Sequence, residues 1–193
     1  MFKTIESTSE GDYREKGSKF FAFAFPVQTE EEIKEHISQL RKRNPGAVHV
    51  CSAFRLGAEK KLYRSSDDGE PSNSAGPPIL GQIQSFDLTN VMIAVVRYYG
   101  GINLGVGGLI NAYRTASKLA LENAKIIETE DATNLRFSFS YESTPNIMSL
   151  LKKMEIQIQS FQQDWQCEIS CLIPASKQFI INDLKELGCK LEF

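Results

Sequence analysis

The sequence predicts an α+β protein of two domains, and three observations support this class. Strand-like apolar runs alternate with segments of helical periodicity between Phe20 and Glu130. Beyond Asp131, a unit of about sixty residues has the element order βαββαβ, which is typical of the ferredoxin-like fold. The composition, with 41% hydrophobic and 24% charged residues in a chain of 193, is ordinary for a globular protein. We therefore predict a first domain over residues 1–130 and a second over residues 131–193.

The elements of the first domain follow from hydrophobic periodicity and helix-capping signals. The segment from Phe20 to Val27 is apolar and aromatic, which favours a strand. Thr29 and Glu32 have the spacing of a capping box, so we expect a helix that begins there and ends before Asn44. The later predictions are, in chain order, a hairpin of strands 49–56 and 61–65, a loop over 67–78 that opens a short helix, a buried central strand 91–99, a helix 109–123 and an edge strand 126–130.

The second domain is predicted from the same periodicities. Apolar side chains at i, i+3, i+4 and i+7 from Ile147 indicate an amphipathic helix over residues 144–155. A second helix carries Ile180 and Leu184 on one face, and Gly188 is suited to end it. The strands are predicted at residues 135–141, 156–161, 167–173 and 189–193, with a turn at 162–164.

The charge and cysteine content exclude some classes of protein. A formal net charge of −2 argues against a strong non-specific binder of polyanions, although a local basic patch is compatible with it. The four cysteines lack CxxC spacing, which indicates reduced thiols. The first residues form no apolar run of signal-peptide length, and no stretch approaches the roughly 20 apolar residues of a membrane span. We therefore expect a cytoplasmic protein with no membrane partner.

A glycine-rich segment follows the predicted central strand. It reads YYGGINLGVGGLINAYRTAS over residues 98–117 and contains Gly100, Gly101, Gly105, Gly107 and Gly108. The third glycine of a dinucleotide-binding fingerprint is missing, and no Lys-Ser/Thr pair completes a P-loop. Two interpretations stay open. The glycines permit a tight strand-to-helix turn, or free N–H groups at the start of the helix attract an anion, with Arg97 or Arg114 nearby.

Four segments together resemble the IMPACT family, which includes the bacterial YigZ-type two-domain proteins. The segments are KGSKF at 16–20, AVHVCSAFR at 47–55, DDGEPSNSAGPPIL at 67–80 and VRYYGGINLGVGGL at 96–109. Asn73 stands where the family pattern usually has glycine, and a turn is still expected because asparagine tolerates left-handed backbone. Asn103 stands where a longer or basic residue is frequent, which weakens a phosphate-binding interpretation.

The resemblance implies both a fold and a biological setting. The first domain should be similar to the second domain of a small-subunit ribosomal protein, and the second domain to the last domain of elongation factor G. The family is linked to translation, because eukaryotic relatives compete for a ribosome-associated activator of a starvation-response kinase. Those relatives carry an additional N-terminal protein-binding domain that is not part of this sequence. Their regulatory partner therefore cannot be transferred to this chain.

The first functional hypothesis is a protein that binds RNA, the ribosome or a translation factor. Its surface would combine basic side chains from several elements with the stacking faces of tyrosines. The candidate residues are Arg14, Lys16, Lys19, Arg55, Lys60, Lys61, Arg64 and Arg97, with Tyr63, Tyr98 and Tyr99. Because residues 1–130 contain as many acidic as basic side chains, only clustering in space would create a basic patch.

The alternative is an enzyme or a small-anion-binding protein with its site between the DDGEP loop, residues 67–71, and the glycine segment. Asp67, Asp68 and Glu70, around Gly69, are candidates for acid–base chemistry or for holding a hydrated Mg²⁺. His49 is one of only two histidines. However, carboxylates in such a loop also satisfy turn N–H groups and neighbouring arginines, and no known catalytic motif occurs. We favour a binding protein without catalytic residues, metal or cofactor; the oligomeric state stays open.

A third hypothesis is a protein-interaction module that uses the sheet of the second domain. A ferredoxin-like unit covers one sheet face with helices and leaves the other face open. Residues alternate accordingly: Phe137, Phe139, Tyr141 and Ile169 fall on one face, and Arg136, Ser138, Ser140, Glu168 and Ser170 on the other. The second, polar set is the one expected to contact RNA or the first domain.

Overall fold

The computed structural model of the protein describes residues 1–192, which divide into two compact units. The first unit is Met1–Thr129, and the second begins at Glu130. Each unit combines helices with sheets, which confirms the mixed α+β class. No helix in residues 1–192 is long and apolar enough to cross a membrane.

A five-stranded antiparallel sheet forms the centre of the first unit. The elements of this unit are β1 (Phe2–Ile5), β2 (Ser9–Glu15), β3 (Ser18–Pro26), α1 (Glu30–Arg43), β4 (His49–Leu56), β5 (Leu62–Ser66), α2 (Gly76–Ser85), β6 (Val91–Tyr98), α3 (Gly105–Glu122) and β7 (Ile126–Thr129). The strand order of the large sheet is β2-β3-β6-β4-β5, whereas β1 and β7 pair separately. The predicted edge strand after α3 therefore exists, but it belongs to the small sheet.

Both faces of the large sheet are covered, which explains why β6 is apolar throughout. Odd-numbered residues of β6 pack with α2 and α3, whereas even-numbered residues pack with α1. Val91 to Arg97 are accordingly all buried. Buried strands of this kind show a continuous apolar run rather than alternation, so the prediction of a central strand is correct.

Several predicted boundaries differ from the observed ones. The strands β1 and β2 were not predicted, because β1 is short and β2 is a half-exposed edge strand rich in charged residues. The helix α3 begins at Gly105, four residues before the predicted start, because glycine does not prevent a helical first turn. At α1, Thr29 caps the Glu32 N–H as expected, but the Glu32 carboxylate accepts from the Gln28 N–H rather than completing the box at Thr29.

The second unit is a four-stranded antiparallel sheet with two helices. Its elements are β8 (Ala132–Phe139), α4 (Thr144–Lys153), β9 (Gln157–Gln163), β10 (Cys167–Pro174), α5 (Ile180–Glu186) and β11 (Lys190–Glu192). The strand order is β11-β8-β10-β9. Both helices pack on one face against a core that includes Phe137, Phe139 and Ile169. Tyr141 lies in a 3-10 turn after β8 and is exposed, so it does not share the strand face of Phe137 and Phe139 on which the alternation placed it. The predicted last strand extends to Phe193, which lies outside the described residues.

Candidate functional site

Asp67, the first carboxylate of the DDGEP loop, caps the start of α2. Its Oδ1 accepts from the backbone N–H groups of Ala75 (2.9 Å) and Gly76 (2.8 Å), and its Oδ2 accepts from the Asn73 N–H (2.8 Å). Asn73 has φ +62°, the left-handed conformation expected of it. Burial by itself raises the pKa of Asp67, but the N–H donors of Gly76, Asn73 and Ala75 outweigh it and leave the pKa below its ordinary value. Asp67 therefore stabilises the loop as a carboxylate.

Asp68 joins the loop to β4 and α1. Its Oδ2 accepts from the Val50 N–H at 2.6 Å, and its Oδ1 accepts from Arg41 Nη2 at 2.5 Å. The Asp68 carbonyl accepts from His49 Nδ1 at 2.6 Å, so the His49 Nδ1 atom carries the proton. All of these contacts are internal to the first unit.

Glu70 is buried in an ion pair that ties the DDGEP loop to β6 and α3. Its Oε1 accepts from Arg97 Nη1 at 2.5 Å and from the Tyr113 hydroxyl at 2.7 Å, while its Oε2 lies 4.0 Å from His49 Nε2. The Arg97 side chain is only 8% exposed. Its Cζ lies 5.5 Å from the ring centroid of Phe20 and 5.6 Å from that of Tyr99. Arg97 is therefore part of the interior, and its predicted place on an exposed basic surface is wrong.

The thiol of Cys51 and the hydroxyl of Tyr113 extend this buried network. Cys51 Sγ lies 3.0 Å from the Asp67 carbonyl oxygen and 3.3 Å from the Tyr113 hydroxyl. Burial raises the pKa of Cys51 to about 12, and burial likewise raises the pKa of Tyr113. Both groups stay protonated at neutral pH, so they act as neutral hydrogen-bonding groups.

The three loop carboxylates thus have internal partners. Each accepts hydrogen bonds from backbone N–H groups, an arginine or a tyrosine of the first unit. Within residues 1–192, no group of three or more His, Cys, Asp and Glu side chains is arranged to hold a metal ion. The arrangement is that of a stabilised loop, in which the carboxylates order the backbone.

The glycine segment starts with a close contact between two loops. A Cβ atom at position 100 would lie 2.0 Å from the carbonyl carbon of Gly17 and 2.2 Å from the Ser18 nitrogen. The Gly100 N–H donates to Ser18 Oγ at 3.1 Å, which fixes the β2–β3 turn against the segment. Gly100 is thus required for internal packing.

Gly107 has a different environment. A Cβ atom there would meet nothing within 4 Å, and the residue lies in the first turn of α3. That turn contains no acidic residue, and Leu104 at the N-cap supplies no side-chain hydrogen bond. Gly105 and Gly108 share the turn, so several backbone N–H groups at the positive end of an 18-residue helix lack a capping side chain.

Exposed apolar side chains surround this helix start. Tyr99, Ile102 and Val106 are each about half exposed, and so is Val48, whose N–H donates to the Arg97 carbonyl. The β2–β3 turn adds the exposed Lys16. We call these five residues the glycine-loop surface. Val48, Ile102 and Val106 were not predicted as site residues. The available signal for Ile102 and Val106 was that they are large apolar residues within a glycine-rich segment, whereas Val48 lies outside that segment.

The remaining predicted basic residues do not form one patch. In the β4–β5 pairing, Arg55 is opposite Tyr63 and Phe54 is opposite Arg64, so Arg55 and Arg64 lie on opposite sheet faces. Lys60, Lys61 and Arg64 pair with carboxylates, at 2.5 Å to Asp87, 2.5 Å to Glu59 and 3.0 Å to Glu30. The hairpin charges therefore do not cluster into the basic patch that the first hypothesis requires.

Three further predicted residues are placed as follows. Lys19 is exposed on β3 opposite Tyr98, whose hydroxyl donates to Asn44 Oδ1 at 2.8 Å. Arg114 is exposed on α3, nine residues and therefore about 13 Å beyond Gly105. Arg114 is too far along the helix to serve an anion at its start.

Comparison with known proteins identifies the family. The model of the Impact N-terminal domain matches residues 16–121. The IMPACT family member YigZ of Escherichia coli (strain K12) is 31% identical over 166 residues, which cover 84% of this chain and 80% of that protein. YvyE of Bacillus subtilis (strain 168) is 29% identical over 170 residues, covering 88% and 78%. A crystal structure of a hypothetical protein aligns with 98% of this chain and 95% of its own, at 26% identity and a TM-score of 0.73.

The family model and the similar proteins agree with the resemblance that the four sequence segments indicated. The family model spans more than half of the residues, and the similarity to YigZ extends over most of both chains. The chain belongs to the IMPACT family.

Proposed function

We propose that this protein is a translation-associated binding protein that contacts the ribosome or a translation factor through the glycine-loop surface. The observation that carries the proposal is the contrast at one end of the large sheet. The carboxylates of the DDGEP loop are bonded internally, whereas apolar side chains of the neighbouring segment are exposed and the first turn of α3 has no capping side chain. Exposed apolar and aromatic residues beside free polar groups are typical of a contact surface.

Family membership supports the translation-linked setting, because the IMPACT resemblance implies it. The distribution of charge favours a protein component of the translation machinery over bare RNA. The basic residues of the β4–β5 hairpin are paired with carboxylates, and Arg97 is buried. The hairpin and Arg97 therefore contribute less to phosphate binding than their number of positive charges indicates.

The domain identities are part of the proposal. Numbering the strands of the second unit one to four in chain order, the sheet order β11-β8-β10-β9 becomes 4-1-3-2 with two helices on one face. This arrangement supports a ferredoxin-like assignment. The similarity of the first unit to a domain of a small-subunit ribosomal protein, and a cytoplasmic location, stay predictions.

The test is co-sedimentation of the full chain with ribosomes, and separately with total RNA, across a salt series. We expect ribosome binding that the double variant Tyr99→Ala/Ile102→Ala weakens at least about fivefold, since aromatic and apolar anchors dominate such contacts. The matched control is Leu62→Ala/Tyr63→Ala, which removes two exposed residues of similar type from β5. All variants are checked for folding by circular dichroism.

The variant Lys60→Glu/Lys61→Glu/Arg64→Glu tests whether the glycine-loop surface or the basic β4–β5 hairpin makes the contact. It should bind like the wild type if the glycine-loop surface makes the contact. Loss of binding in this variant, together with a steep salt dependence, would assign the contact to the basic hairpin and to RNA. Absence of ribosome binding by the wild type at low salt would exclude the ribosome as the partner.

A small anion at the start of α3 is the second candidate function. Arg97 Nε is buried and has no hydrogen-bond partner among the described residues. Its guanidinium is paired with Glu70 through Nη1 and lies beside Tyr99, whose hydroxyl donates to Asn103, so one N–H donor of Arg97 without a partner lies near the segment that leads into α3. An anion there would meet both the helix dipole and a guanidinium.

Inorganic phosphate and pyrophosphate are the probes for this candidate. We expect the amide resonances of Gly105, Gly107 and Gly108 to shift on titration. Val106→Asp, which adds a carboxylate to the first turn, should abolish the shifts, whereas Ile126→Asp on β7 should not. Unchanged glycine resonances at millimolar pyrophosphate would remove the candidate.

A further inference from the structure

Trp165, the only tryptophan of the chain, is almost entirely exposed. It lies in the turn between β9 and β10 of the second unit, and 93% of its surface is accessible. Tryptophan is usually highly buried, and it is among the residues most enriched at the centres of protein contacts. An isolated tryptophan in this position has no role in the core of the second unit.

A shallow cavity adjoins Trp165 on the sheet face opposite the helices. Its volume is about 210 Å³, and its walls include Arg136, Ser138, Gln162, Asp164, Glu168 and Glu192. The register of the sheet explains this composition, since Arg136 lies opposite Glu192, and Ser138 opposite Glu168. Pockets for whole small molecules are usually about 300 to 1,000 Å³. The space next to Trp165 is therefore suited to a single side chain, and a neighbouring cavity of about 560 Å³ on the same face shares Arg136 and Glu168 with it.

The charges around the cavity select its occupant. Arg136 is paired with Glu168, whereas Asp164 and Glu192 make no ion pair within the described residues. Lys190 lies on the same face, next to Ser138 in the sheet register. The carboxylates of Asp164, Glu168 and Glu192 thus outnumber the cations of Arg136 and Lys190 in and around this face. The excess of negative charge disfavours a phosphate backbone and favours a cationic group.

We propose that this face docks a protein segment carrying arginine or lysine, with the cation between Trp165 and the carboxylates of Asp164 and Glu192. Tryptophan is the best aromatic partner for a cation, and a desolvated guanidinium gains from both the ring and the carboxylates. The polar residues Ser138 and Gln162 supply further hydrogen-bonding groups at the cavity wall. The proposal concerns the second unit alone and does not depend on the function proposed for the glycine-loop surface.

The intrinsic fluorescence of Trp165 reports binding at this site directly, because the full chain contains no other tryptophan. We expect the acetylated, amidated peptide Gly-Arg-Gly-Arg-Gly to change the fluorescence saturably in the millimolar range. The same peptide with citrulline in place of arginine, which keeps the shape but loses the charge, should bind at least about threefold more weakly. Equal responses to the two peptides would overturn the proposal.

Variants and a competing ligand complete the test. Asp164→Asn and Glu192→Gln should each weaken arginine-peptide binding about two- to fivefold, as expected for the loss of one exposed ion pair. Glu142→Gln and Glu186→Gln, which neutralise exposed carboxylates away from the cavity, are the matched controls and should leave binding unchanged. Salt-sensitive binding of oligouridylate at Trp165, stronger than that of the arginine peptide, would instead assign the face to RNA and refute the proposal.

Discussion

The DDGEP loop and the glycine segment lie at the same end of one sheet, yet they use their polar groups in opposite ways. In the DDGEP loop, charged side chains accept hydrogen bonds from the protein itself. In the glycine segment, the start of α3 has neither a capping side chain nor an acidic residue, and the apolar side chains around it are exposed. The acidic motif therefore stabilises the fold, and the exposed start of α3 is the surface that we propose for binding.

This difference shows why residue type alone is a weak guide to a functional site. Carboxylates suggest catalysis or metal binding, but a carboxylate whose lone pairs are occupied by buried donors is a structural group. Glycines suggest backbone freedom, but only some of them are required by internal packing. Gly100 is required in this way, whereas Gly107 has open space on the side where a Cβ would lie.

The largest expected effect is at the buried ion pair of the DDGEP loop. Glu70→Ala leaves Arg97 buried without its carboxylate and should lower the free energy of unfolding of the first unit by about 3–5 kcal/mol. Urea denaturation followed by circular dichroism measures the change. Glu59→Ala, which removes an exposed ion pair with Lys61, is the control and should cost less than about 1 kcal/mol. Similar costs for the two variants would contradict the structural role of Glu70.

Alanine substitutions at Gly100 and Gly107 should change the stability of the first unit in opposite directions. Gly100→Ala should destabilise the first unit by about 1–3 kcal/mol, because its Cβ overlaps the Gly17 backbone. Gly107→Ala should stabilise it by up to about 1 kcal/mol, since alanine favours the helix and meets no neighbour. Thermal melts of the two variants test this prediction. A stabilised Gly107→Ala variant with weakened ribosome binding would locate the contact at the helix start.

The Asp67 cap predicts a specific dependence on pH. Its pKa is lower in the folded state than in the unfolded state, so its contribution is present above the unfolded value of about 4 and is lost as the pH falls through the folded value. Asp67→Asn should cost about 1–2 kcal/mol at pH 7. The difference in the free energy of unfolding between wild type and variant should become smaller as the pH falls from about 5 to about 2. Urea denaturation at each pH measures this difference. A difference that stays constant over the range would contradict the role of Asp67 as a cap.

The smallest effect concerns Cys51, where no loss of stability is involved. Burial raises the pKa of its thiol to about 12, and all four cysteines are buried, so the native protein should react with Ellman's reagent only slowly at pH 8. All four thiols should react at once in concentrated urea. Rapid reaction of one thiol in the native protein, assigned to Cys51 by mass spectrometry, would show that the interior behind the DDGEP loop opens readily.

Periodic features were predicted well from the sequence. The strand β4 has the predicted bounds, and the buried stripe of α3 contains Leu109, Tyr113, Ala116 and Ala120 as expected. These predictions succeed because burial on one face imposes a period on the chain. The strand β1 was missed because it is short and pairs with β7, which is distant in sequence. The strand β2 was missed because it is itself half exposed, which leaves little local pattern.

The candidate site was predicted only in part. The DDGEP loop and the glycine segment were recognised from their sequence motifs, but neither the burial of Arg97 nor the exposure of Trp165 follows from a local pattern. The basic hairpin shows the same limit. Alternation along β4 and β5 determines which side chains share a face, but the carboxylates that pair with Arg64 and Lys60 come from α1 and from the turn before β6.

By itself, the sequence determined the family, the order of most elements and the apolar stripes, because these depend on neighbouring residues and short repeats. Only the tertiary structure decided which polar groups are bonded internally and which are exposed. Glu70 meets Arg97 and Tyr113 across separations of 27 and 43 residues, and such contacts leave no local signature. Hydrogen-bond satisfaction is a property of the assembled fold, and it is what distinguishes the stabilising loop from the surface that is free to bind.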